Sequence, residues 1–380
     1  MNNFGLLYKY ELKKILKNKL TIAMLIVMVL ITVTEALVPA ISVGMTAYKE
    51  ASEAQKTLDG RLIDDTLLEE MFPKLIENGQ TWNDTNIAYS GIASIERSML
   101  PGDNVLTEYS AEDMYKGREE TMSIWMEEDR LTEGEKAWWN KEQEKIAEPY
   151  TYYNYDSALL IAQNCTGILF IIMLISTLCL STVLNVEHRL RTDQIVLSCK
   201  NGRKETFWAK VSVSLSLIIG CSVFSTLLMV FLISILYGLN GFNAIVQLEV
   251  ANSPYPLTMG QFILLQFVVM ITSGIMFAAF SMAISEILKN SLVVNGIVMA
   301  LFVFGQLEII PPQYRLLNQL NSLLPSNQIS IWSLLEFRLY HIGGHYFTGF
   351  AVAPVIYILI AALSILAGWI SYRRFQVGGR

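Results

Sequence analysis

Six long apolar segments dominate the pattern of the chain, and polar segments of unequal length separate them. A helix needs about 20 apolar residues to cross roughly 30 Å of hydrocarbon at 1.5 Å per residue. All six segments are long enough. The pattern therefore predicts an all-α integral membrane protein with six transmembrane helices, over residues 20–45, 157–184, 211–237, 259–285, 291–310 and 350–371.

The first 19 residues predict an amphipathic helix. Apolar side chains recur there at helical spacing, and the lysines fall mostly on the other side. Such a helix lies in the cytoplasmic interface of a bilayer and is attracted by anionic lipid. A solvated, lysine-rich leader is the alternative. The apolar run that follows is far longer than the core of a signal peptide, so we expect it to be retained as the first span.

A long polar insert, residues 46–156, separates the first two spans. It holds 25 Asp and Glu residues against 11 Lys and Arg residues, a net charge of −14, whereas the whole chain carries −6. "SAED" (110–113) and "TEGE" (132–135) both fit a capping box at a helix start. "YTYYNY" (150–155) has the composition of a membrane-interface belt. We predict an acidic, mostly helical extracellular domain.

Residues 311–349 are too broken by Pro and Asn to span a membrane and too apolar for a free loop. Short re-entrant helices would fit, because protein can bury their ends. The segment contains "HIGGH", with His341 and His345. A zinc protease helix needs H-E-x-x-H, so we interpret this stretch as an outward-facing loop without a metal site.

The distribution of charge sets the predicted orientation. Only 16% of the residues are charged, against about 25% in soluble domains. Lys and Arg dominate residues 1–19 and 185–210 and recur in the tail 372–380, whereas residues 238–258 contain neither. By the positive-inside rule, both termini of this multi-pass protein lie on the cytoplasmic side of the plasma membrane. The loop 238–258 is then extracellular, and the short loop 286–290 is cytoplasmic.

Several kinds of chemistry are absent from the sequence. A Walker A loop ends in Gly-Lys, and no Gly-Lys pair occurs in the chain, so we expect no nucleotide site and no enzyme activity here. No pattern suggests a metal site or nucleic-acid binding. The four cysteines lie outside the insert and predict free thiols, not disulfides: Cys165, Cys179, Cys199 and Cys221.

Three carboxylates lie in or beside the apolar segments. Glu35 falls in the outer half of the first span, where an ionisable residue suggests a substrate pathway or a cation contact; an ordinary polar contact near the rim is the alternative. Glu286 and Glu308 lie at span ends and are expected to be solvated.

Small residues recur every four positions in two spans. This spacing allows close approach of helices, so it predicts helix packing through Ser212, Ser216 and Gly220 in the third span and through Gly274 and Ala278 in the fourth.

The charged block 185–210, between spans two and three, has an unexpected apolar side. Its net charge is +3, yet Leu190, Ile195, Val196 and Leu197 recur at roughly helical spacing. A simple connector needs neither the length nor the apolar face, so the block predicts a helix that docks on a partner. A loop that merely fixes topology by its positive charge is the alternative.

The basic leader, the six spans, the large insert and the charged block together resemble the permease subunits of type-2 ABC exporters (type V exporter-like). In that family the second span leads into E-x-x-x-x-T, an apolar run ending in Leu-Ser, an Arg in a turn, and a Lys that enters span three. The matching residues here are Glu187, Thr192, "IVLS" (195–198), Arg203 and Lys210. Arg191 and Cys199 stand where the family has Gly and Pro.

The resemblance implies that the block is a coupling helix seated in a groove on a separate cytoplasmic ABC ATPase. The residues that would contact the ATPase are Glu187, Arg189, Leu190, Arg191, Thr192, Ile195, Leu197, Arg203 and Lys204. ATP and Mg²⁺ would belong to that ATPase, with no cofactor in this chain. The resemblance further implies a second permease chain, identical or paralogous.

The cargo stays open at this point. An amphipathic or hydrophobic solute fits, whether an antimicrobial peptide, a drug or a lipid, and the acidic insert would attract cationic peptides. Sodium export is an alternative that the resemblance also allows. A second alternative is a sensor or scaffold that moves no cargo and whose outer domain binds a ligand.

Overall fold

Helices make up most of the described part of the chain. The structure, a computed structural model, describes residues 3–76, 87–100, 110–184, 204–305, 310 and 314–374. Its helices are α1 (Asn3–Leu16), α2 (Lys19–Pro39), α3 (Met45–Lys56), α4 (Asp65–Ile76), α5 (Ser90–Met99), α6 (Ala111–Glu128), α7 (Glu133–Gln143), α8 (Asp156–Ile175), α9 (Lys204–Tyr237), α10 (Met259–Leu288), α11 (Ser291–Gly305), α12 (Arg315–Ser322), α13 (Pro325–Ile329) and α14 (Gly349–Arg374).

Five helical stretches within these residues are long and apolar enough to cross a membrane. They are Lys19–Lys56, Asp156–Leu180, Lys204–Tyr237, Met259–Leu288 and Gly349–Arg374, and a shorter apolar helix covers Val293–Gly305. The all-α membrane fold is therefore confirmed. Part of the fifth predicted span, residues 306–309, lies outside the described residues. With 34 residues, α9 is about 51 Å long and extends beyond the hydrocarbon layer.

The helix α10 lies at the centre of the bundle and contacts α8, α9, α11 and α14. Gly274 permits this packing: a Cβ atom there would lie 2.8 Å from Ile218 Cγ2 of α9 and 3.0 Å from Ile172 Cγ2 of α8. The prediction of close packing at Gly274 is confirmed. At Gly220 it is wrong among the described residues, because a Cβ atom there would meet none of their atoms within 4 Å.

The leader forms α1, which packs along α9 with Ile15 buried and with Lys9 and Lys13 exposed. A short break separates α1 from α2. There the side chain of Asn18 accepts a hydrogen bond of 3.0 Å from the backbone N–H of Leu20 and caps α2. The first span therefore begins with its own cap and is not a continuation of the leader.

Helices α3 to α7 form the insert, and local sequence determines where two of them start. Both predicted capping boxes are confirmed: Ser110 and Asp113 cap α6, and Thr132 and Glu135 cap α7. In each box the hydroxyl of the cap residue accepts a hydrogen bond from the third backbone N–H of the helix. The carboxylate of the third residue in turn accepts one from the backbone N–H of the cap residue.

Aromatic side chains join the insert to the loops that precede α10 and α14. Trp139 of α7 is fully buried, with its ring 5.0 Å from Tyr255 and 6.0 Å from Phe337, and its indole N–H donates to the Phe337 carbonyl. Arg118 of α6 is also buried, and its guanidinium donates to the carbonyls of Ala251 (2.9 Å) and Ser253 (3.0 Å). The insert and these loops therefore form one packed body.

A β-hairpin that the sequence analysis did not anticipate precedes α14. Strand β1 (Tyr340–Ile342) pairs antiparallel with β2 (His345–Phe347) across Gly343 and Gly344, whose φ angles are +60° and +85°. His341 lies opposite Tyr346 and His345 opposite Ile342, so the two histidines point to opposite faces. They cannot ligate one metal ion together.

Candidate functional site

The structure describes only the end of the predicted coupling segment 185–210. Residues 185–203 lie outside the described part, so the roles of Glu187, Arg189, Leu190, Arg191, Thr192, Ile195, Leu197 and Arg203 stay predictions. Lys204 is the first residue of α9 and is exposed. Cys199 and Glu308 also fall outside, whereas Cys165, Cys179 and Cys221 are buried free thiols, as predicted.

A hydrogen bond joins the two parts of the chain that flank this segment, and we call this junction of Val183 and Lys210 its base. Lys210 is completely buried in α9, and its ammonium group donates a 2.9 Å hydrogen bond to the carbonyl oxygen of Val183, just beyond α8. Carbonyls at a helix end lack partners within the helix, so a cation there is favourable. The bond joins the second and third spans where the segment leaves one and enters the other.

Aromatic packing connects the same base to the last span. Phe207, one turn before Lys210, is fully buried, and its ring lies 5.1 Å from Trp369 and 5.5 Å from Tyr372 of α14. The start of α9 is thus in direct contact with the end of the second span through Lys210 and with α14 through Phe207.

The turn between α10 and α11 corrects one expectation. Glu286 was expected to be solvated, yet its side chain is fully buried and forms an ion pair with Lys289. Lys289 has a left-handed backbone, with φ of +52°, which ends α10 just before α11 begins at Ser291. This tight reversal places the ammonium group of Lys289 beside the carboxylate.

Glu35 of α2 faces α8 at Gly167. A Cβ atom on Gly167 would lie 1.7 Å from Glu35 Oε1, so only glycine leaves room for the carboxylate. The other oxygen, Oε2, is buried and has no hydrogen-bond partner among the described residues. A buried carboxylate oxygen of this kind can accept from a cation, a proton donor or a polar solute in the membrane region.

The first span is interrupted one turn after Glu35. Pro39 ends α2, and a π-helical turn, Ala40–Gly44, leads to α3. Tyr237, the last residue of α9, bridges the interruption: its hydroxyl donates to Ala36 O (2.9 Å) and accepts from Ala40 N–H (3.2 Å). Gly44 has φ of +94° and open space around it, so the chain bends there.

A buried polar junction ties the insert to the second and third spans. The Asn154 amide nitrogen donates to Gln55 Oε1 of α3 and to Asp156 Oδ2 at the start of α8, each at 2.9 Å. Asn240, just after α9, donates to Asn154 Oδ1 and accepts a 3.1 Å bond from Ser157 N–H. The insert is therefore attached by hydrogen bonds to both spans that flank residues 185–210.

A cleft of about 590 Å³ opens between α6 and α7 on the insert. Its wall mixes thioether and aliphatic surface from Met122, Met126 and Ile146 with carboxylates. Burial raises the pKa of one of these, Glu148, although the Arg118 guanidinium 3.5 Å away opposes the shift. Surfaces that combine methionine with charge adapt to varied amphipathic ligands. The acidic lining comprises Glu119, Glu127, Glu144 and Glu148, and the basic lining Arg118 and Lys136.

Comparison with known families explains this architecture. The model of a family described as ABC-2 family transporter protein matches residues 6–375, nearly the whole chain. The chain belongs to that family. It is thus the permease of an ABC transporter, a kind of membrane subunit that is typically non-catalytic and associates with an ABC ATPase. No curated protein and no solved structure matches this permease.

Sequence reasoning identified some of the permease's site residues and missed others. It singled out Lys210 and Glu35 by position and charge, but it did not identify their partners Val183 and Gly167. Tyr237 was also missed, although Pro39 signals a helix interruption whose exposed backbone groups need a partner. Nothing local in the sequence would have paired that interruption with a tyrosine of another span.

Proposed function

We propose that this permease couples ATP hydrolysis by separate ATPase subunits to the export of an amphipathic or hydrophobic solute. The anchored base of the segment 185–210 carries the proposal. In this mechanism the segment docks on the ATPase as a coupling helix, and closure of the ATPase dimer displaces the start of α9. Lys210 and Phe207 then pass the displacement to α8 and α14.

The proposed orientation places both termini and the segment 185–210 in the cytoplasm and the insert outside. The charge pattern supports this orientation, because the lysine-rich leader and the Lys- and Arg-rich segment share one side. The exposed positions of Lys9, Lys13 and Lys204 are consistent with contact with an anionic membrane surface or a partner. In the cell membrane, a second permease chain completes the pathway.

The proposed cargo is a cationic amphipathic molecule, with an antimicrobial peptide as the leading example and drugs or lipids as other members of the class. Two observations support it: the net charge of −14 on the insert and the methionine-lined cleft with four carboxylates. Attraction of a cation to the insert raises the rate of encounter. Within the first span, Glu35 offers the cargo a carboxylate oxygen beside α8.

The test co-expresses the permease with its ATPase and reconstitutes both in proteoliposomes. Arg203→Glu should keep membrane insertion but lose peptide-dependent ATPase stimulation and peptide transport. The matched control is Arg374→Glu at the end of α14, which should leave both unchanged. If Arg203→Glu transports like the wild type, the coupling role of the segment is wrong.

The same preparation separates the competing functions. ATP-dependent accumulation of labelled cationic peptide supports the proposed cargo, whereas ATP-dependent sodium flux without peptide transport would replace it with a sodium exporter. Peptide binding to the insert without any flux would make the protein a sensor. Failure of any ATPase to co-purify would overturn the proposal as a whole.

A further inference from the structure

An apolar groove runs along the outside of the bundle between α1, α2 and α9. It measures about 430 Å³ and opens laterally. Tyr8 and Leu12 of α1 form one wall, Leu25 and Met28 of α2 form another, and Gly220 and Phe224 of α9 form the third. Its apolar walls come from two membrane-spanning helices and the amphipathic leader, so the groove lies at the boundary between hydrocarbon and headgroups.

Gly220 creates the open part of the groove. A Cβ atom there would meet no atom of the described part of the chain within 4 Å, and Phe224, one turn farther on, is half exposed. Ser216, one turn earlier, donates a 2.8 Å bond to Ser212 O in its own helix, which satisfies its hydroxyl. The wall is therefore mostly aliphatic and aromatic and suits a hydrocarbon chain.

Positive charge borders this groove on α1. Lys9 and Lys13 follow Tyr8 and Leu12, so they emerge about 100° farther round the helix, at the edge of the groove. Both are exposed, and a lysine can extend its ammonium group along an apolar surface toward a headgroup. Glu11 lies on a different face of α1, buried and 3.6 Å from Lys14, so it does not oppose this charge.

We infer that the groove binds an acyl chain of an anionic phospholipid whose phosphate headgroup is held by Lys9 and Lys13. Charge complementarity selects this occupant over a neutral lipid, because each lysine near the headgroup favours an anion. The lipid would contact α1, α2 and α9 at once and so fasten the leader to the bundle. Ordinary boundary lipid would show no such headgroup preference.

The experiment uses the full-length permease in detergent and native mass spectrometry. Dioleoyl phosphatidylglycerol and dioleoyl phosphatidylcholine, added together in equal amounts, compare two headgroups on identical chains. The wild type should retain phosphatidylglycerol about tenfold or more in preference. Gly220→Leu should remove the retained lipid by filling the groove. Gly296→Leu on α11, where a Cβ atom would also meet nothing within 4 Å, is the matched control and should retain it.

A second pair of substitutions tests the headgroup contact. Lys9→Gln with Lys13→Gln should abolish the preference while the groove still takes up some of either lipid. Equal retention of both lipids by the wild type would overturn the inference, as would equal retention by Gly220→Leu and Gly296→Leu. If Gly220→Leu instead changes the oligomeric state and leaves lipid retention intact, the groove is a contact between copies of the chain and the inference is wrong.

Discussion

The ammonium group of Lys210 lies 2.9 Å from the carbonyl oxygen of Val183, although 27 residues separate them in the chain. A lysine that is completely buried near a membrane is costly unless it has partners. Here the cation satisfies a carbonyl at the end of the second span. The pair therefore holds the end of the second span against the start of the third.

Lys210→Met should destabilise this base. The substitution keeps most of the side-chain length but removes the hydrogen bond and leaves Val183 O without that donor. A loss of about 1–3 kcal/mol is expected for a charge-assisted bond. Thermal unfolding in detergent measures it. Lys204→Met, at the exposed start of the same helix, should leave stability unchanged, and equal melting temperatures for the two variants would contradict the structural role of Lys210.

Gly167→Ala should displace the Glu35 carboxylate, because the new methyl group would lie 1.7 Å from Oε1. The end of a flexible side chain can move, so we expect a modest loss of about 1 kcal/mol and a transport defect like that of Glu35→Gln. The combination Gly167→Ala with Glu35→Ala should be no worse than Glu35→Ala alone. Additive effects in this double-mutant cycle would show that the two sites act independently.

Tyr237→Phe should loosen the interruption of the first span. Without the hydroxyl, Ala36 O and Ala40 N–H lose their bridge, at a cost of about 1 kcal/mol. Amide hydrogen exchange at residues 40–44 should accelerate more than elsewhere in the span. Tyr10→Phe, at an exposed position of α1, is the control. Unchanged exchange at 40–44 in Tyr237→Phe would refute the bridge.

Stability should fall as pH rises through the titration of Glu96 in α5. Burial raises the pKa of this carboxyl to about 7, with Arg97 opposing the shift, from an unfolded value of 4.5. Between these values the folded state holds the proton and the unfolded state does not, so stability is fully present below the lower value and declines toward the upper one. The loss amounts to at most about 3 kcal/mol.

Thermal unfolding between about pH 4 and pH 8 tests this dependence. Glu96→Gln should flatten the decline, because the amide does not titrate. Glu112→Gln, at an exposed position of α6, should reproduce the wild-type profile. If the melting temperature of the wild type rose from pH 4.5 to pH 7, and that of Glu96→Gln changed in the same way, the burial argument would be contradicted.

Much of the fold could be predicted because its signals are local. A span is a run of about 20 apolar residues, and a capping box is a spacing of three, so both can be recognised without knowledge of neighbours. Ser110 and Thr132 therefore began helices where the sequence predicted. The family resemblance came from the same kind of information, the order of local features along the chain.

The remaining features depend on which helices become neighbours. The spacing of small residues around Gly274 resembles the spacing around Gly220. Gly274 packs against α8 and α9, whereas Gly220 lines an open groove, and only the tertiary contacts distinguish the two. The burial of Glu286 likewise depends on tertiary packing, which its place at the end of a span does not reveal. The hairpin turn at Gly343 and Gly344 had a readable two-glycine signal, but its strands are only three residues each.

The insert 46–156 is joined to the first span in a different way from the second and third spans. On the α2 side, Gly44 joins the span to α3 with φ of +94°, and a Cβ atom there would have no described atom within 4 Å. On the α8 and α9 side, Asn154 and Asn240 join the insert to the two spans by hydrogen bonds. A backbone bend thus joins the insert to the first span, whereas side-chain hydrogen bonds join it to the second and third spans.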